Sequence, residues 1–401
     1  MDLHEVVIAG ACRTPIGDFL GGLKDVSARD LAMAAGSEAM RRAGIEPRLV
    51  DELCMGQVCT AMQGSLPARQ VGMRIGLTAD SSACTINQNC ASGMRALEVA
   101  SQNIMLGKTQ CALVIGVESM SNAPYLLPKA RTGYRMNAGT IEDHMIHDAL
   151  YDELVPGHMG VTAENVAERY GITREECDEH AALSHQRAVA AIDEGRFTEE
   201  TVPIDVPGKK GVERFATDEH PRRGVTRESL APLKPVFRAG GVVTAGNSAS
   251  ISDGASAVVA LSRDKAEEIG VKPLMKLLAT CSAGVEPALM GLGPAVSIPK
   301  CLKIAGLQYT EVDYWEIHEA FAAQFLGVRR ALKDWSGVDL DMSNVNRNGS
   351  GIALGHPIGS TGLRIVVSLY YEMARGNHTV GGASLCVGAG PSMASLWTRD
   401  V

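Results

Sequence analysis

The chain of 401 residues exceeds what one hydrophobic core usually organises, so two or three packed units in one compact body are expected. Apolar residues at 45% and charged residues at 21% are ordinary globular usage and exclude a disordered or fibrous chain, while 4% aromatics and 43 glycines point to close-packed small side chains and many tight turns. The formal net charge of −8 argues against a general nucleic-acid or membrane binder and leaves room only for a local basic site.

The start, Met1-Asp2-Leu3-His4-Glu5-Val6-Val7-Ile8, lacks the basic flank and long apolar core of a secretory signal. No apolar run is long enough to span a bilayer, so a cytoplasmic location is the default expectation. An apolar strand, Val6 to Ala9, leads into a turn through Arg13-Thr14-Pro15-Ile16-Gly17. From Ala28 to Ala43 the apolar spacing becomes helical and stops at Gly44, a common residue just past a helix end. Asn87-Gln88-Asn89-Cys90-Ala91-Ser92-Gly93-Met94 then carries a short strand-like run into a helix. A cysteine at such a junction suits a thiolate nucleophile, because the unpaired N–H groups of a helix start favour the anion and small neighbours leave room for an acyl group. The helical face continues through Met94, Leu97 and Ile104 to Gly107-Lys108, and Cys111 to Val117 follows as a buried strand. Strand, helix, strand is an α/β signature.

Between Ser121 and Ser250 the texture changes to loops rich in glycine, proline and charge, with one helical region from Ala163 to Ala191. This segment reads as an inserted loop domain. Within it Lys209, Lys210, Arg214, Arg222, Arg223, Arg227, Lys234 and Arg238 form the densest basic stretch, open to two readings: a solvated face, or a surface for a phosphate-bearing ligand.

The C-terminal third repeats the α/β plan. A helix opens at Gly359-Ser360-Thr361-Gly362 and ends near Gly376, and Ala383 to Val387 follows as a strand. Val117-Glu118-Ser119-Met120-Ser121 and Gly390-Pro391-Ser392-Met393-Ala394 are faintly alike, which suggests a duplicated half contributing one reactive group per copy. Three reactive segments sit at turns here. In Trp315-Glu316-Ile317-His318-Glu319-Ala320-Phe321 a zinc-protease reading fails, since the second histidine would fall on Ala322. Gly355-His356-Pro357-Ile358-Gly359 sets a histidine before proline, hence on extended backbone, ahead of a helix. Leu385-Cys386-Val387-Gly388-Ala389-Gly390 ends a strand with a cysteine followed by glycines that admit a ligand close to the backbone. The ten cysteines include no C-x-x-C pair, and the spacing of Cys54 and Cys59 is poor for zinc, so most read as reduced packing residues.

Two cysteines and a histidine at three such junctions suit carbon–carbon bond formation or cleavage at a thioester. One thiolate accepts the acyl group, a histidine takes its proton, and a second group moves a proton at a carbon beside a carbonyl. The N–H groups of Cys90 and Gly388 are candidates for binding the developing oxyanion.

On these segments the chain resembles the thiolase family from end to end, with Arg13 to Gly17, His158-Met159-Gly160 and Thr244-Ala245-Gly246-Asn247 as further landmarks in the same order. The resemblance implies an α/β fold of duplicated αβαβα layered halves. The N-terminal half would span 1–120 plus 251–272, the loop domain 121–250 and the C-terminal half 273–401. It implies Cys90 as the acylated nucleophile, His356 as its activator and Cys386 as the acid/base at the acetyl-CoA methyl carbon. His356 and a water near His318 would form one oxyanion hole, and the N–H groups of Cys90 and Gly388 the other. Arg222 and Ser229 would meet the nucleotide end of CoA. Leu150, His158, Met159, Phe237, Ala249, Met290, Ala320 and Phe321 would line the pantetheine and acyl pocket. CoA and acyl-CoA are then substrates, with no further cofactor and no metal, and the assembly expected is a homodimer or dimer of dimers, with room for a partner subunit.

Two positions depart from the commonest pattern. His318-Glu319-Ala320-Phe321 carries histidine where asparagine is usual, as in thiolases of fatty-acid β-oxidation complexes and some that work with a partner subunit, which weakens an acetoacetyl-CoA-only assignment. Ala249 stands where a serine usually faces pantetheine, with Ser248 and Ser250 as neighbouring substitutes. A ketoacyl synthase would use Cys90, His318 and His356 but has no need of Cys386. A nucleotide-binding module would rest on Gly349 to Gly355, where the third glycine falls one residue late. A non-catalytic subunit would have lost a reactive group.

Overall fold

The frame of the molecule is a ten-stranded sheet, seen in a computed structural model that describes residues 3–208 and 211–401. Met1, Asp2, Lys209 and Lys210 lie outside the described residues. The long strands are β1 (Val6–Arg13), β2 (Glu52–Gly56), β3 (Ser82–Ile86), β4 (Cys111–Ser119), β5 (Ser252–Ser262), β6 (Met275–Gly284), β7 (Tyr314–Ile317), β8 (Val380–Cys386) and β9 (Pro391–Thr398). Their helices are α1 (Ala28–Ala43), α2 (Ser92–Met105), α3 (Gly160–Tyr170), α4 (Arg174–Asp193), α5 (Pro294–Ala305), α6 (Ala322–Ser336) and α7 (Ile358–Gly376). Strands run in the order β7-β8-β9-β6-β1-β5-β4-β2-β3, and the short strand Gly17–Asp18 pairs with β5.

Pairing directions repeat across this order. On one side β2 and β4 are parallel, then β4, β5 and β1 antiparallel; on the other β7 and β8 are parallel, then β8, β9 and β6 antiparallel. The halves meet where Val7 faces Lys276 and Ile8 faces Met275. The duplication read from the sequence is therefore present in the topology, but the segments that suggested it are not equivalent. Val117 to Ser119 closes β4, whereas Pro391 to Ala394 opens β9, the counterpart of β5. Their likeness reflects local composition at two strand ends.

Burial explains the sequence texture. β1, β4 and β5 are buried along their whole length, so they read as continuous small apolar runs and not as alternating ones. α2 and α7 lie together between the half-sheets, in a core shared by Ile8, Val114 and Val258 of one half and Leu385, Met393 and Trp397 of the other. α1 covers the outer face of the first half, and α5 with α6 that of the second, giving αβαβα layers. The α2–α7 contact is close enough to require glycine: a Cβ on Gly93 would meet Leu363 Cβ at 2.9 Å and the Gly359 carbonyl at 3.0 Å. That contact brings the start of α2 beside the start of α7.

Capping chemistry sets the helix ends. Ser27 Oγ accepts from Asp30 N–H at the start of α1, and Gly44 ends it in left-handed backbone. The expected single helix from Ala163 to Ala191 is two: left-handed Gly171 closes α3, and a capping box of Thr173 and Glu176 opens α4. Both helices bury a face in the same core, so the apolar spacing runs on across the break. Met159, Ala163, Val166, Cys177 and Ala181 pack with residues of α5 and α6, so these helices share the core of the second half. The Gly351–Leu354 segment is one buried helical turn against α4, unlike a strand-to-helix phosphate loop.

All ten cysteines are free thiols. Cys54 meets Cys84 of the neighbouring strand, Sγ to Sγ 3.6 Å, and not Cys59. Among the described residues no helix is long and apolar enough to cross a membrane.

Candidate active site

Each reactive group stands where an element begins or ends, and the α2–α7 contact gathers them. Cys90 follows β3 through Asn89, whose left-handed backbone (φ 46°) turns the chain so that the thiol faces the next layer before α2 begins. Ser92 Oγ donates to the Asn89 carbonyl and accepts from Gln88 N–H, locking that turn. His356 precedes Pro357 and α7, and its Nε2 lies 3.2 Å from Cys90 Sγ. The Thr361 hydroxyl donates to the Pro357 carbonyl, so at 2.6 Å from His356 Nδ1 it accepts the ring N–H. That arrangement fixes the tautomer: the proton sits on Nδ1, and Nε2 is the free base facing the thiol.

Burial keeps this pair uncharged at rest. It pushes the Cys90 thiol up to about 11 against the opposing pull of the Gly388 and Cys90 N–H groups, and lowers His356 to about 3, with Arg364 adding to the effect. The helix start expected to hold a thiolate is outweighed by desolvation, so the thiolate forms only as a base takes the proton. Gly388 N–H reaches the Cys90 sulfur because residue 388 has no side chain: a Cβ there would meet Met159 Cε at 2.4 Å and Asn89 Nδ2 at 2.7 Å. Cys386, at the end of β8, is fully buried, and burial followed by the nearby Cys90 raises its thiol far above the usual range.

His318 lies behind this group. It is fully buried, its ring centroid is 4.3 Å from that of His356, and neither ring nitrogen has a hydrogen-bond partner in the protein. Burial, then His356 and Arg364, hold it neutral. Its loop is held from below: the Asn346 carboxamide grips both backbone groups of Ile317, and Glu319 accepts from Ser184 Oγ at 2.6 Å, with His180 Nε2 at 3.2 Å.

A cavity of about 350 Å³ opens over Cys90, His356, Cys386 and Gly388. Leu150, His158, Met159, Phe237, Ala249, Met290, Ala320 and Phe321 line it, with Arg222 at its outer rim. His158 stacks on Phe237 at 4.6 Å and accepts Gly160 N–H at Nδ1, which leaves Nε2–H as a donor. Ser248 and Ser250 flank Ala249 on the wall, but their hydroxyl protons are engaged, Ser248 with the Thr244 carbonyl and Ser250 with Ser252 Oγ. Here the wall offers acceptors in place of a free serine donor. His318 and Ser229 do not line the cavity; Ser229 closes a capping box with Thr226 on a one-turn helix.

Part of the basic stretch is engaged in ion pairs. Arg223 pairs with Asp193, Arg227 with Glu228, and Arg238 with Glu168 and Asn165. Lys209 and Lys210 lie outside the described residues. Sequence reasoning missed Thr361, Met120, Ile251, Ile358 and His220. Thr361 was legible as a hydroxyl on the first turn of the helix that follows His356, and His220 as the neighbour of Arg222. Met120, Ile251 and Ile358 are apolar residues brought to the wall by packing alone.

Residues 6–264 match the thiolase N-terminal domain family and residues 271–399 the thiolase C-terminal domain family. An acetyl-CoA acetyltransferase of Pseudomonas aeruginosa is 46% identical over 399 residues, which is 99% of this chain and 100% of that protein. The structure of acetyl-CoA acetyltransferase from Syntrophomonas wolfei matches with a TM-score of 0.98 at 58% identity, covering 99% of this chain and 100% of that one. Human mitochondrial 3-ketoacyl-CoA thiolase, in complex with CoA, matches with a TM-score of 0.94 at 38% identity, covering both chains fully (100%). The family match removes the ketoacyl-synthase and nucleotide-module readings: the chain belongs to the thiolase family and is an acyltransferase.

Proposed function

We propose that this enzyme cleaves a 3-oxoacyl-CoA with CoA, or runs the reverse condensation, through an acyl group carried on Cys90. The observation that carries the reading is the contact of Cys90 Sγ with an imidazole nitrogen whose partner nitrogen is committed to Thr361. In the cleavage direction Cys90 Sγ attacks the 3-oxo carbon as its proton passes to His356 Nε2. The C2–C3 bond then breaks, leaving the acyl group on sulfur, and the released acetyl-CoA carbanion takes its proton from Cys386. The Cys386 thiolate regains a proton as His356 gives up the one it took, directly or through solvent. In the second half the neutral His356 Nε2 accepts the proton of the CoA thiol as that sulfur attacks acyl-Cys90, and returns it to the Cys90 sulfur as the shortened acyl-CoA leaves. The N–H groups of Cys90 and Gly388 stabilise the oxyanion on the Cys90-bound carbon. His356 Nε2–H, with a water held by His318, stabilises the enolate oxygen of the acetyl group.

The three-part division, 1–120 plus 251–272, 121–250 and 273–401, is part of this reading. It sets Cys90 on one half, His318, His356 and Cys386 on the other, and the CoA channel under the loop segment. Assembly as a dimer or dimer of dimers and a cytoplasmic location are proposed with it. The names of the relatives favour a second reading, an enzyme confined to acetoacetyl-CoA. The apolar wall of Met120, Leu150, Ile251 and Ile358 favours a longer or bulkier acyl group.

Intact mass after incubation with acetyl-CoA tests the mechanism. The enzyme is expected to gain one acetyl group and Cys90→Ala none; acetylation that persists in the variant overturns the assignment. Cleavage rates across straight, branched and aromatic 3-oxoacyl-CoA substrates test the breadth, and turnover of acetoacetyl-CoA alone selects the narrower reading.

A further inference from the structure

Away from the reaction centre, two thiols and a carboxylate meet at the edge of the sheet. Cys54 of β2 and Cys84 of the edge strand β3 are direct partners in the parallel register. Side chains alternate along a strand, so Glu52, two residues before Cys54, shares its face. The sulfurs are 3.6 Å apart, and among the described residues these three side chains are the one group of three His, Cys, Asp or Glu whose ligand atoms all lie within 4.8 Å of one another. The shared face packs against α2. Cys54 is buried in the core with Met94, Leu97 and Ile104, whereas Cys84 and Glu52 are half-buried, so solvent reaches the group from one side. The carboxylate is oriented by neighbours: Asn103 Nδ2 of α2 donates to Glu52 Oε2 at 2.8 Å, and Thr109 Oγ1 donates to the same oxygen at 3.3 Å.

Packing accounts for two thiols in contact, but not for a carboxylate held beside them. The contact with Cys84, then burial and Glu52, raise the Cys54 thiol, while the same contact lowers that of Cys84. One proton is thus readily lost, and a cation is what lets the second go. The sulfur spacing suits this: tetrahedral zinc with Zn–S bonds of about 2.3 Å sets two sulfurs about 3.8 Å apart, whereas a disulfide needs about 2.05 Å. We propose that Cys54, Cys84 and Glu52 form a binding site for a thiophilic divalent cation of the zinc class, with water as fourth ligand. The cation replaces the two thiol protons, which pass to solvent. Two thiolates select it over magnesium and calcium, which take oxygen ligands. Its role is structural. β3 runs on from Cys84 to the Asn89 turn that presents Cys90, and a cation on Cys54 and Cys84 ties this edge strand to β2. Thirty positions separate the two cysteines in sequence, so no metal-ligand spacing announces the site.

The test is equilibrium dialysis of the full chain against Zn²⁺ under a phosphine reductant, with bound metal measured by elemental mass spectrometry. The unsubstituted chain is expected to hold about one zinc more than a Cys54→Ser, Cys84→Ser double variant, and Cys90→Ala should hold as much as the unsubstituted chain. Asn103→Ala, which frees the carboxylate, should weaken binding about tenfold, and Glu52→Gln at least as much. With Co²⁺ as the probe, a sulfur-to-metal charge-transfer band should appear in the unsubstituted chain and in Cys90→Ala but not in the double variant. Zn²⁺ should also raise the Tm of the unsubstituted chain and leave that of the double variant unmoved. Circular dichroism checks that the double variant folds; where it does not, Cys84→Ser at the half-buried position carries the same comparison. Equal zinc in the cysteine variants, loss of zinc in Cys90→Ala, or no cobalt–sulfur band in the unsubstituted chain overturns the proposal. None of these readouts depends on turnover, so failure of the acyl-transfer reading is seen separately.

Discussion

Cys90 and Cys386 are the same side chain in two halves of one duplicated fold, and they differ in what surrounds them. Both line the cavity, but Cys90 sits 3.2 Å from a histidine base and is reached by the Gly388 N–H. Cys386 closes a strand with its residue fully buried, and it titrates higher still because Cys90 stands nearby. A thiol with a base beside it can become a nucleophile. A thiol without one, held protonated, is suited to give a proton to carbon and take it back. The proposed division of labour between identical groups thus rests on neighbours, not on the groups.

Removing each sulfur in turn breaks this comparison most severely. Cys90→Ala should abolish both acyl labelling and turnover. Cys386→Ala should still be acylated by acetyl-CoA but lose exchange of the acetyl-CoA methyl protons in deuterated water; loss of acylation in both variants would show that the roles are not separate. His356→Asn removes the base and should slow acylation by about 10²- to 10⁴-fold in single-turnover kinetics. Gly388→Ala pushes its new Cβ against Met159 and Asn89, shifting the N–H that faces Cys90. A fall in kcat of about 10²- to 10³-fold is expected, with a folded protein by circular dichroism.

The pH response sharpens the same contrast. Folding raises Cys90 to about 11 and lowers His356 to about 3, so the neutral pair persists through the range between. Alkylation of Cys90 by iodoacetamide should therefore climb by about tenfold per pH unit on approach to 11. A plateau from pH 6 to 9 would instead mean a resting thiolate–imidazolium pair. Thr361→Val releases the His356 ring and should cost about tenfold in acylation, the worth of one buried hydrogen bond. A loss as large as that of His356→Asn would make Thr361 more than an orienting group.

Local chemistry made much of this readable in advance. Helix ends at Gly44 and near Gly376, the strand through Val114, and the reactive junctions at Cys90, His356 and Cys386 follow from capping, turn residues and apolar spacing within a dozen neighbours. The break at Gly171 was hidden because α3 and α4 bury faces in one core, so periodicity ran through it. His318 was legible as a reactive side chain beside a turn, but not its burial behind His356. The basic stretch read as one run of charge, whereas the fold pairs Arg223 and Arg238 with acidic side chains and sets Arg222 on the cavity.

The sequence by itself determined the α/β plan and the family and singled out the candidate reactive residues, because each is written in short contiguous segments. Only the tertiary structure decided which groups meet. The separation of 266 in sequence between Cys90 and His356 is bridged by two helices that approach through glycines, and the depth of burial there sets both proton affinities. Desolvation depends on every layer packed around a group, so no local reading of residues around Cys90 contains it.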